Sequence, residues 1–173
     1  MAGTSPFVVH VGRILRSGEP QREQRHGPID GLFVTGSEVP PGADVEAEVL
    51  LEPLGHSVQA TGIVTAPWRA VCARCLQPVA GTLVADVLEV FEDDPVEDET
   101  YPLVHDRIDL EPLAREAVVL ELPEAPLCKE DCRGLCAQCG TDLNESTCQC
   151  EAPVDPRWAA LDELRNTSTS ADD

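Results

Sequence analysis

The sequence predicts an α+β fold, in which an antiparallel β-sheet or a small barrel carries a Cys-rich zinc-knuckle segment and two short helices. Apolar and polar residues alternate over much of residues 27–91, which is the pattern of strands that bury one face. Helical spacing of apolar residues is confined to two short stretches after residue 108. Six of the eight cysteines lie between Cys128 and Cys150, which is typical of a metal-binding segment.

The β-rich part begins at Phe7–Leu15, where β-branched and apolar residues predict a first strand. Residues 13–26 are polar and hold four arginines, so they are predicted to form a loop. Four alternating runs follow, with turn signals between them: Ile29–Phe33, Val45–Leu51, Val58–Val64 and Thr82–Phe91. Because short turns rather than helices connect these runs, we expect the strands to be antiparallel.

The first helix is predicted after an acidic segment. Residues 92–99 carry six carboxylates and no basic residue, which indicates an exposed loop without an acid–base role. In residues 109–122 the apolar side chains recur at helical spacing, so a helix is predicted there. Asp109 is expected to cap its start and Pro123 to end it.

A second short helix is predicted near the end of the chain. Asp155 and Pro156 provide a cap and a first-turn proline, and the apolar stripe comprises Trp158, Leu161 and Leu164. We therefore predict one β-rich domain over residues 1–165, with an embedded zinc-binding segment at residues 126–152. A disordered tail is predicted at residues 166–173.

The cysteine spacing predicts structural zinc. Thiolates two or three residues apart can reach one tetrahedral ion from a tight turn, since each Zn–S bond is about 2.3 Å. Gly140, directly after such a pair, suits the positive φ of that turn. Eight thiols match two Zn(Cys)4 sites, and proximity along the chain gives the following groups: Cys136, Cys139, Cys148 and Cys150 in one, and Cys72, Cys75, Cys128 and Cys132 in the other. The alternative is a single zinc-ribbon site in which Cys72 and Cys75 meet Cys136 and Cys139. The first partition predicts two zinc ions, and the alternative predicts one.

No motif indicates an enzyme. An all-cysteine ligand set is closed and structural, whereas a zinc hydrolase mixes in His or carboxylates and keeps one position open. The spacing of Cys132, Cys136 and Cys139 matches that of radical-SAM enzymes, but only 34 residues follow Cys139, too few for the barrel of those enzymes. The glycines fall singly at turns, so no phosphate-binding loop is predicted.

Charge favours a protein partner over bulk nucleic acid. The net charge is -20, from 12 basic and 32 acidic residues, which suits a basic protein better than a phosphate backbone. Seven arginines could still form a local RNA-binding patch: Arg13, Arg16, Arg22, Arg25, Arg69, Arg74 and Arg133. The first residues lack the apolar run of an export signal, so we expect a cytoplasmic protein that neither enters a membrane nor binds a small-molecule substrate.

The cysteine-rich segment LCKEDCRGLCAQCGTDLNESTCQC, with CARCLQPV upstream and DPRWAALDEL downstream, resembles the YceD family of large ribosomal RNA subunit accumulation proteins. The resemblance implies that the eight cysteines are ligands, that Gly134 and Gly140 are turn residues, and that residues 155–157 start the last helix. It implies no catalytic activity. The expected function is that of a non-enzymatic, zinc-stabilised factor in large ribosomal subunit biogenesis, which supports rRNA accumulation by binding pre-rRNA or a basic ribosomal protein. A thiol- or metal-based redox regulator is the alternative.

Overall fold

A computed structural model describes residues 5–97, 99–150 and 157 of the chain. The chain divides into two compact units, of which one ends at Cys132 and the other begins at Arg133. The two helices that the structure describes have six and eleven residues, and neither is long enough to cross a membrane.

The first unit is built on an eight-stranded sheet. Its strands are β1 (Val8–His10), β2 (Gln21–Pro28), β3 (Ser37–Glu38), β4 (Asp44–Leu54), β5 (Ser57–Val71), β6 (Pro78–Glu92), β7 (Tyr101–Val104) and β8 (Arg107–Asp109). The order along the sheet is β1-β8-β7-β6-β5-β4-β2, and β3 pairs with one end of β5. The predicted α+β class is confirmed. The sheet is mixed rather than wholly antiparallel, because β7 pairs in parallel with the last two residues of β6.

The alternating pattern of the three long strands determines which face is buried. The inward side chains of β4, β5 and β6 contribute twelve residues to the core: Val45, Ala47, Val49, Leu51, Val58, Ala60, Val64, Ala66, Leu83, Ala85, Val87 and Phe91. Helix α2 (Glu111–Glu121) packs against β6 and β5 and buries Leu113, Ala114 and Val118. The side chain of Asp109 accepts a hydrogen bond from the amide of Glu111 at 3.0 Å, although the cap position itself falls on Leu110.

The prediction of a polar loop over residues 13–26 is wrong. This stretch contains helix α1 (Gly12–Ser17), which ends at Gly18 with φ +72°, and strand β2. The alternation that marks a strand is missing from β2 because it pairs with β4 alone and carries polar side chains on both faces.

Two further strand predictions differ from the structure. The run Ile29–Phe33 turns at Gly31, where φ is +75°, and contributes only an isolated bridge from Phe33. The predicted first strand is shortened to Val8–His10, because the residues from Gly12 onward are helical. The predicted second helix and tail lie outside the described residues, and the single domain over residues 1–165 stays a prediction.

The second unit is irregular over the residues that the structure describes. An isolated bridge joins Leu135 to Asp142, and the amide of Leu143 donates to the carbonyl of Gly134 at 2.9 Å. The side chain of Asn144 accepts a hydrogen bond from the amide of Arg133 at 2.9 Å. These bonds fold the chain back on itself around the cysteines.

Candidate metal centres

Four cysteines of the first unit, Cys72, Cys75, Cys128 and Cys132, form what we call the sheet-linked cluster. Their sulfurs all lie within 4.8 Å of one another. Cys72 directly follows β5 and Cys75 lies in the turn to β6, whereas Cys128 and Cys132 belong to the segment after α2. The cluster therefore joins the tip of a β-hairpin to a segment more than 50 residues away.

Hydrogen bonds outside the sulfurs hold the same two segments together. The amide of Ala73 donates to the carbonyl of Pro126 at 2.8 Å, and the guanidinium of Arg74 donates to the carbonyl of Cys132 at 2.9 Å. Cys72, Cys75 and Cys132 are buried, with at most 3% of each residue exposed. Only Cys128 of this cluster reaches the surface.

The other four cysteines, Cys136, Cys139, Cys148 and Cys150, form what we call the C-terminal cluster. Their sulfurs also lie within 4.8 Å of one another. Cys139 and Cys150 are exposed, and Cys136 and Cys148 are half-buried. Cys148 and Cys150 are separated by one residue, and side chains two positions apart in an extended chain lie on the same face. Residues 147–150 form no regular strand, and the sulfurs of both cysteines reach the cluster.

Each cluster contains the same turn. In residues 72–77 and 136–141, the first cysteine's amide donates to the carbonyl five residues later, at 2.8 Å in both. The amide four residues after that cysteine donates back to the cysteine's carbonyl, at 3.0 and 2.9 Å respectively. This fourth residue has positive φ in both copies, +60° at Leu76 and +72° at Gly140. The glycine was predicted from the sequence, whereas Leu76 carries no signal for this conformation.

The turn of the sheet-linked cluster favours an ionised sulfur. Burial would raise the pKa of Cys72, but hydrogen bonds from the amides of Cys75, Arg74 and Cys128 lower it to about 6. The interaction with the Cys75 sulfur and burial raise the pKa of Cys128 to about 12. The thiol of Cys72 therefore ionises readily, whereas that of Cys128 requires a cation to balance the added negative charge.

The C-terminal cluster has the same electrostatic pattern. Hydrogen bonds from the amides of Cys139 and Gln138 lower the pKa of Cys136 to about 6. The interaction with the Cys139 sulfur and burial raise the pKa of Cys150 to about 12. The repeated turn thus supplies the amides that stabilise the first thiolate in both places.

The sulfur geometry fits a tetrahedral metal ion. Four sulfurs about 2.3 Å from a zinc ion stand about 3.8 Å apart. In the sheet-linked cluster, Cys72 and Cys132 sulfurs lie 3.7 Å apart and Cys75 and Cys128 sulfurs 3.5 Å apart. A disulfide would need about 2.05 Å. Both groups of four could hold a metal ion, and they are the two groups that proximity along the sequence favours.

Most of the arginines proposed as RNA contacts are engaged by acidic groups. Four form ion pairs with carboxylates: Arg13 with Glu19 (3.9 Å), Arg16 with Asp106 (3.5 Å), Arg25 with Glu23 (2.7 Å) and Arg69 with Glu38 (2.6 Å). Arg74 binds a carbonyl of the sheet-linked cluster. Arg22 and Arg133 are exposed and form no ion pair with the described residues. The role of all seven arginines in RNA binding stays a prediction.

Comparison with known proteins gives a family and several relatives. A family model described as Large ribosomal RNA subunit accumulation protein YceD matches residues 60–165. An uncharacterized protein of Mycobacterium tuberculosis is 35% identical over 170 residues, which cover 92% of this chain and 82% of that protein. A maize protein named Large ribosomal RNA subunit accumulation protein YCED homolog 1, chloroplastic, is 25% identical over 125 residues, which cover 52% of this chain and 43% of that protein. No solved structure matches the chain.

Proposed function

The chain belongs to the YceD family of large ribosomal RNA subunit accumulation proteins, and on that premise we propose that it supports the accumulation of large-subunit rRNA during ribosome biogenesis. It acts as a non-enzymatic accessory factor stabilised by two structural zinc ions. The match over residues 60–165, which include all eight cysteines, is the observation that carries this function.

Structural zinc is supported by the ligand sets. Each cluster offers four sulfurs and no carboxylate or imidazole, so a tetrahedral ion would have no open position for a substrate or an activated water. When bound, the metal supplies a cross-link between the segments that carry the cysteines. The residues of the repeated turn hold the thiolates in place through their amides.

The partner is a basic protein of the large subunit, in preference to pre-rRNA. A net charge of -20 repels a phosphate backbone and attracts a cationic protein. The arginines that could offset this charge locally are mostly neutralised, since four of the seven candidates form ion pairs with carboxylates. The protein would hold its partner until the partner is delivered to nascent rRNA.

Affinity purification of the full chain from cells tests this function. Bound protein and RNA are identified in the same low-salt eluate, with and without RNase and over a series of washes at rising salt. We expect a stoichiometric basic ribosomal protein that survives RNase. Precursor rRNA that is retained directly and lost steeply with salt would instead support the RNA mechanism, and Arg22→Glu should then weaken its binding. Recovery of neither would contradict the proposal.

One observation favours the redox or metal-sensing alternative. Cys139 and Cys150 are exposed, and Cys136 has a lowered pKa, which is the environment of reactive thiols. Metal content and thiol titration of protein isolated from oxidatively stressed and unstressed cells would distinguish the two functions. Zinc that stays bound under stress supports the structural role.

A further inference from the structure

In the part of the chain that the structure describes, one side of strand β6 is almost entirely unpaired. On its other side, β5 runs along it from Pro78 to Phe91 in continuous register without a bulge. On the open side, β7 pairs only with Phe91 and Glu92. Among the described residues, no other strand pairs with the stretch from Val79 to Val90 on that side. Alternate peptide groups in this stretch therefore present N–H and C=O groups without a strand partner.

The other two edges of the sheet carry features that block strand addition. Strand β1, at one end, has only three residues. Strand β2, at the other end, contains Pro28, the exposed Arg22 and the ion pair of Glu23 and Arg25 on its inward side. Short length, basic side chains, inward charges and proline are the usual means by which natural edges avoid pairing.

The open edge of β6 lacks a proline, a basic residue and a bulge from Val79 to Val90. Its charged residues are Asp86, on the outward face, and Glu89, on the inward face. Negative charges discourage an acidic strand but attract a basic one. The edge of β6 therefore disfavours an acidic strand but carries nothing that would block a basic one.

Where β7 begins, the inward face of β6 borders an acidic pocket of about 390 Å³. It is lined by Glu89, Glu99, Thr100, Tyr101 and Glu116. The hydroxyl of Tyr101 donates to Glu116 at 2.7 Å. Three carboxyl groups line the pocket and no basic side chain among its lining residues balances them. Burial and the nearby charge of Glu116 accordingly raise the pKa of Glu89.

A second copy of the chain does not fit this edge. Two β6 strands added to each other would place Asp86 and Glu89 of both copies along one interface, in a protein whose net charge is -20. Like charges across a strand pair are destabilising. The occupant that the charges favour is a cationic strand.

We propose that the edge of β6 from Val79 to Val90 binds an extended, basic segment of a partner protein by strand addition. The main-chain groups of the edge provide affinity, and a lysine or arginine of the segment enters the pocket formed by Glu89, Glu99 and Glu116. Apolar residues between the basic ones cover Val84 and Leu88, which are 56% and 64% exposed on the outward face. This inference rests on the proposed function and specifies how the basic partner is held.

Hydrogen exchange of the zinc-loaded full chain tests the edge directly. The probe is an end-capped peptide of about ten residues that alternates lysine and valine, a pattern suited to strand addition. We expect alternate amides between Val79 and Val90 to gain protection, while the outer amides of β2 do not. The control is a peptide of the same sequence whose main-chain amides on the pairing edge are N-methylated. It keeps its charge but should give the amides of β6 no protection.

Charge variants test the pocket. Removing two carboxylates with Glu89→Gln and Glu116→Gln should weaken binding of the peptide about fivefold, as expected for partly exposed ion pairs. The matched control, Glu46→Gln with Glu48→Gln, removes the same charge from β4, on the other side of β5, and should have little effect. Equal losses in the two variants would mean that the peptide responds to total charge alone and would overturn the pocket assignment.

Three results would overturn the proposal as a whole. They are equal binding of the N-methylated peptide, protection of the β6 edge in the isolated monomer, and protection that grows with protein concentration as a dimer forms.

In cells, Val84→Lys with Leu88→Lys should repel the basic segment and reproduce the effect of deleting the gene. Normal rRNA levels in that variant, with low levels in the deletion, would overturn the edge inference and leave the proposed function intact. Normal levels in the deletion itself would contradict the proposed function, while the peptide experiment still decides the edge.

Discussion

The two cysteine clusters are built from one turn placed in two different surroundings. The sheet-linked cluster joins segments 53 and 60 residues apart and buries three of its four cysteines. All four cysteines of the C-terminal cluster fall within residues 136–150, and none of them is buried. The hydrogen bonds of the turn and the lowered pKa of its first cysteine are nevertheless the same in both.

The difference teaches that an identical ligand set can stabilise a fold to very different degrees. A cross-link restricts the unfolded chain more when it closes a longer loop. A buried sulfur that loses its metal also remains in a site where no water can solvate it. Both effects favour the sheet-linked cluster as the one on which the sheet depends.

The largest expected effect is that of Cys72→Ser. We expect zinc content to fall from two ions to one, and the free energy of unfolding of the sheet to fall by about 4 kcal/mol or more, because a metal cross-link is lost from a buried site. Metal analysis and denaturant unfolding followed by circular dichroism measure the two quantities. The matched change in the other turn is Cys136→Ser, which should also remove one zinc ion but leave the unfolding of the sheet nearly unchanged. Equal destabilisation by the two variants would contradict the comparison.

The second expected effect is kinetic. A chelator should remove zinc from the wild-type protein in two phases, and the faster phase should come from the C-terminal cluster because Cys139 and Cys150 are exposed. We expect the phases to differ by at least about tenfold in rate, which is ~1.4 kcal/mol in activation free energy. A colorimetric zinc indicator follows the release. Cys136→Ser should abolish the fast phase alone, and a single phase in the wild type would show that burial does not separate the clusters.

The cysteine clusters could be predicted from sequence because their chemistry is local. Spacing of two or three residues fixes which thiols share a turn, and the count of eight divides into two sets of four. The same reasoning predicted α2 and the three long strands, because their apolar residues repeat with the period of the element that buries them.

The rest depends on contacts that the sequence does not encode locally. The sequence predicts a loop where strand β2 lies, since an edge strand with polar side chains on both faces has no alternation to detect. The parallel pairing of β7 with β6 involves only two residue pairs. Arg74, a predicted RNA contact, donates a hydrogen bond to the carbonyl of Cys132, which is 58 positions away, and no local pattern in the sequence indicates this bond. Its role in RNA binding stays a prediction.

Arg74→Ala tests that anchoring role, with a smaller expected effect. Loss of the charged hydrogen bond to the carbonyl of Cys132 should lower the free energy of unfolding of the sheet by about 1 kcal/mol, given that the side chain is partly solvated. Denaturant unfolding measures this loss, and Arg22→Ala, which removes an exposed arginine from β2, is the control that should not change it. A weaker affinity for RNA with unchanged stability would instead support the predicted RNA contact of Arg74.

The smallest expected effect, and the only stabilising one, comes from making the two turns alike. Leu76 holds φ +60° where the other turn has Gly140, and the residue is 62% exposed, so little packing would be lost on removal of its side chain. A left-handed conformation costs a non-glycine residue about 1–2 kcal/mol, and glycine loses about 0.5–1 kcal/mol more backbone entropy on folding. The difference predicts that Leu76→Gly stabilises the zinc-loaded sheet by about 0.5 kcal/mol, whereas Gly140→Leu should strain the C-terminal cluster and speed its release of zinc. Unfolding and chelation measurements on both variants check this, and destabilisation by Leu76→Gly would mean that the leucine contributes a contact that its exposure does not reveal.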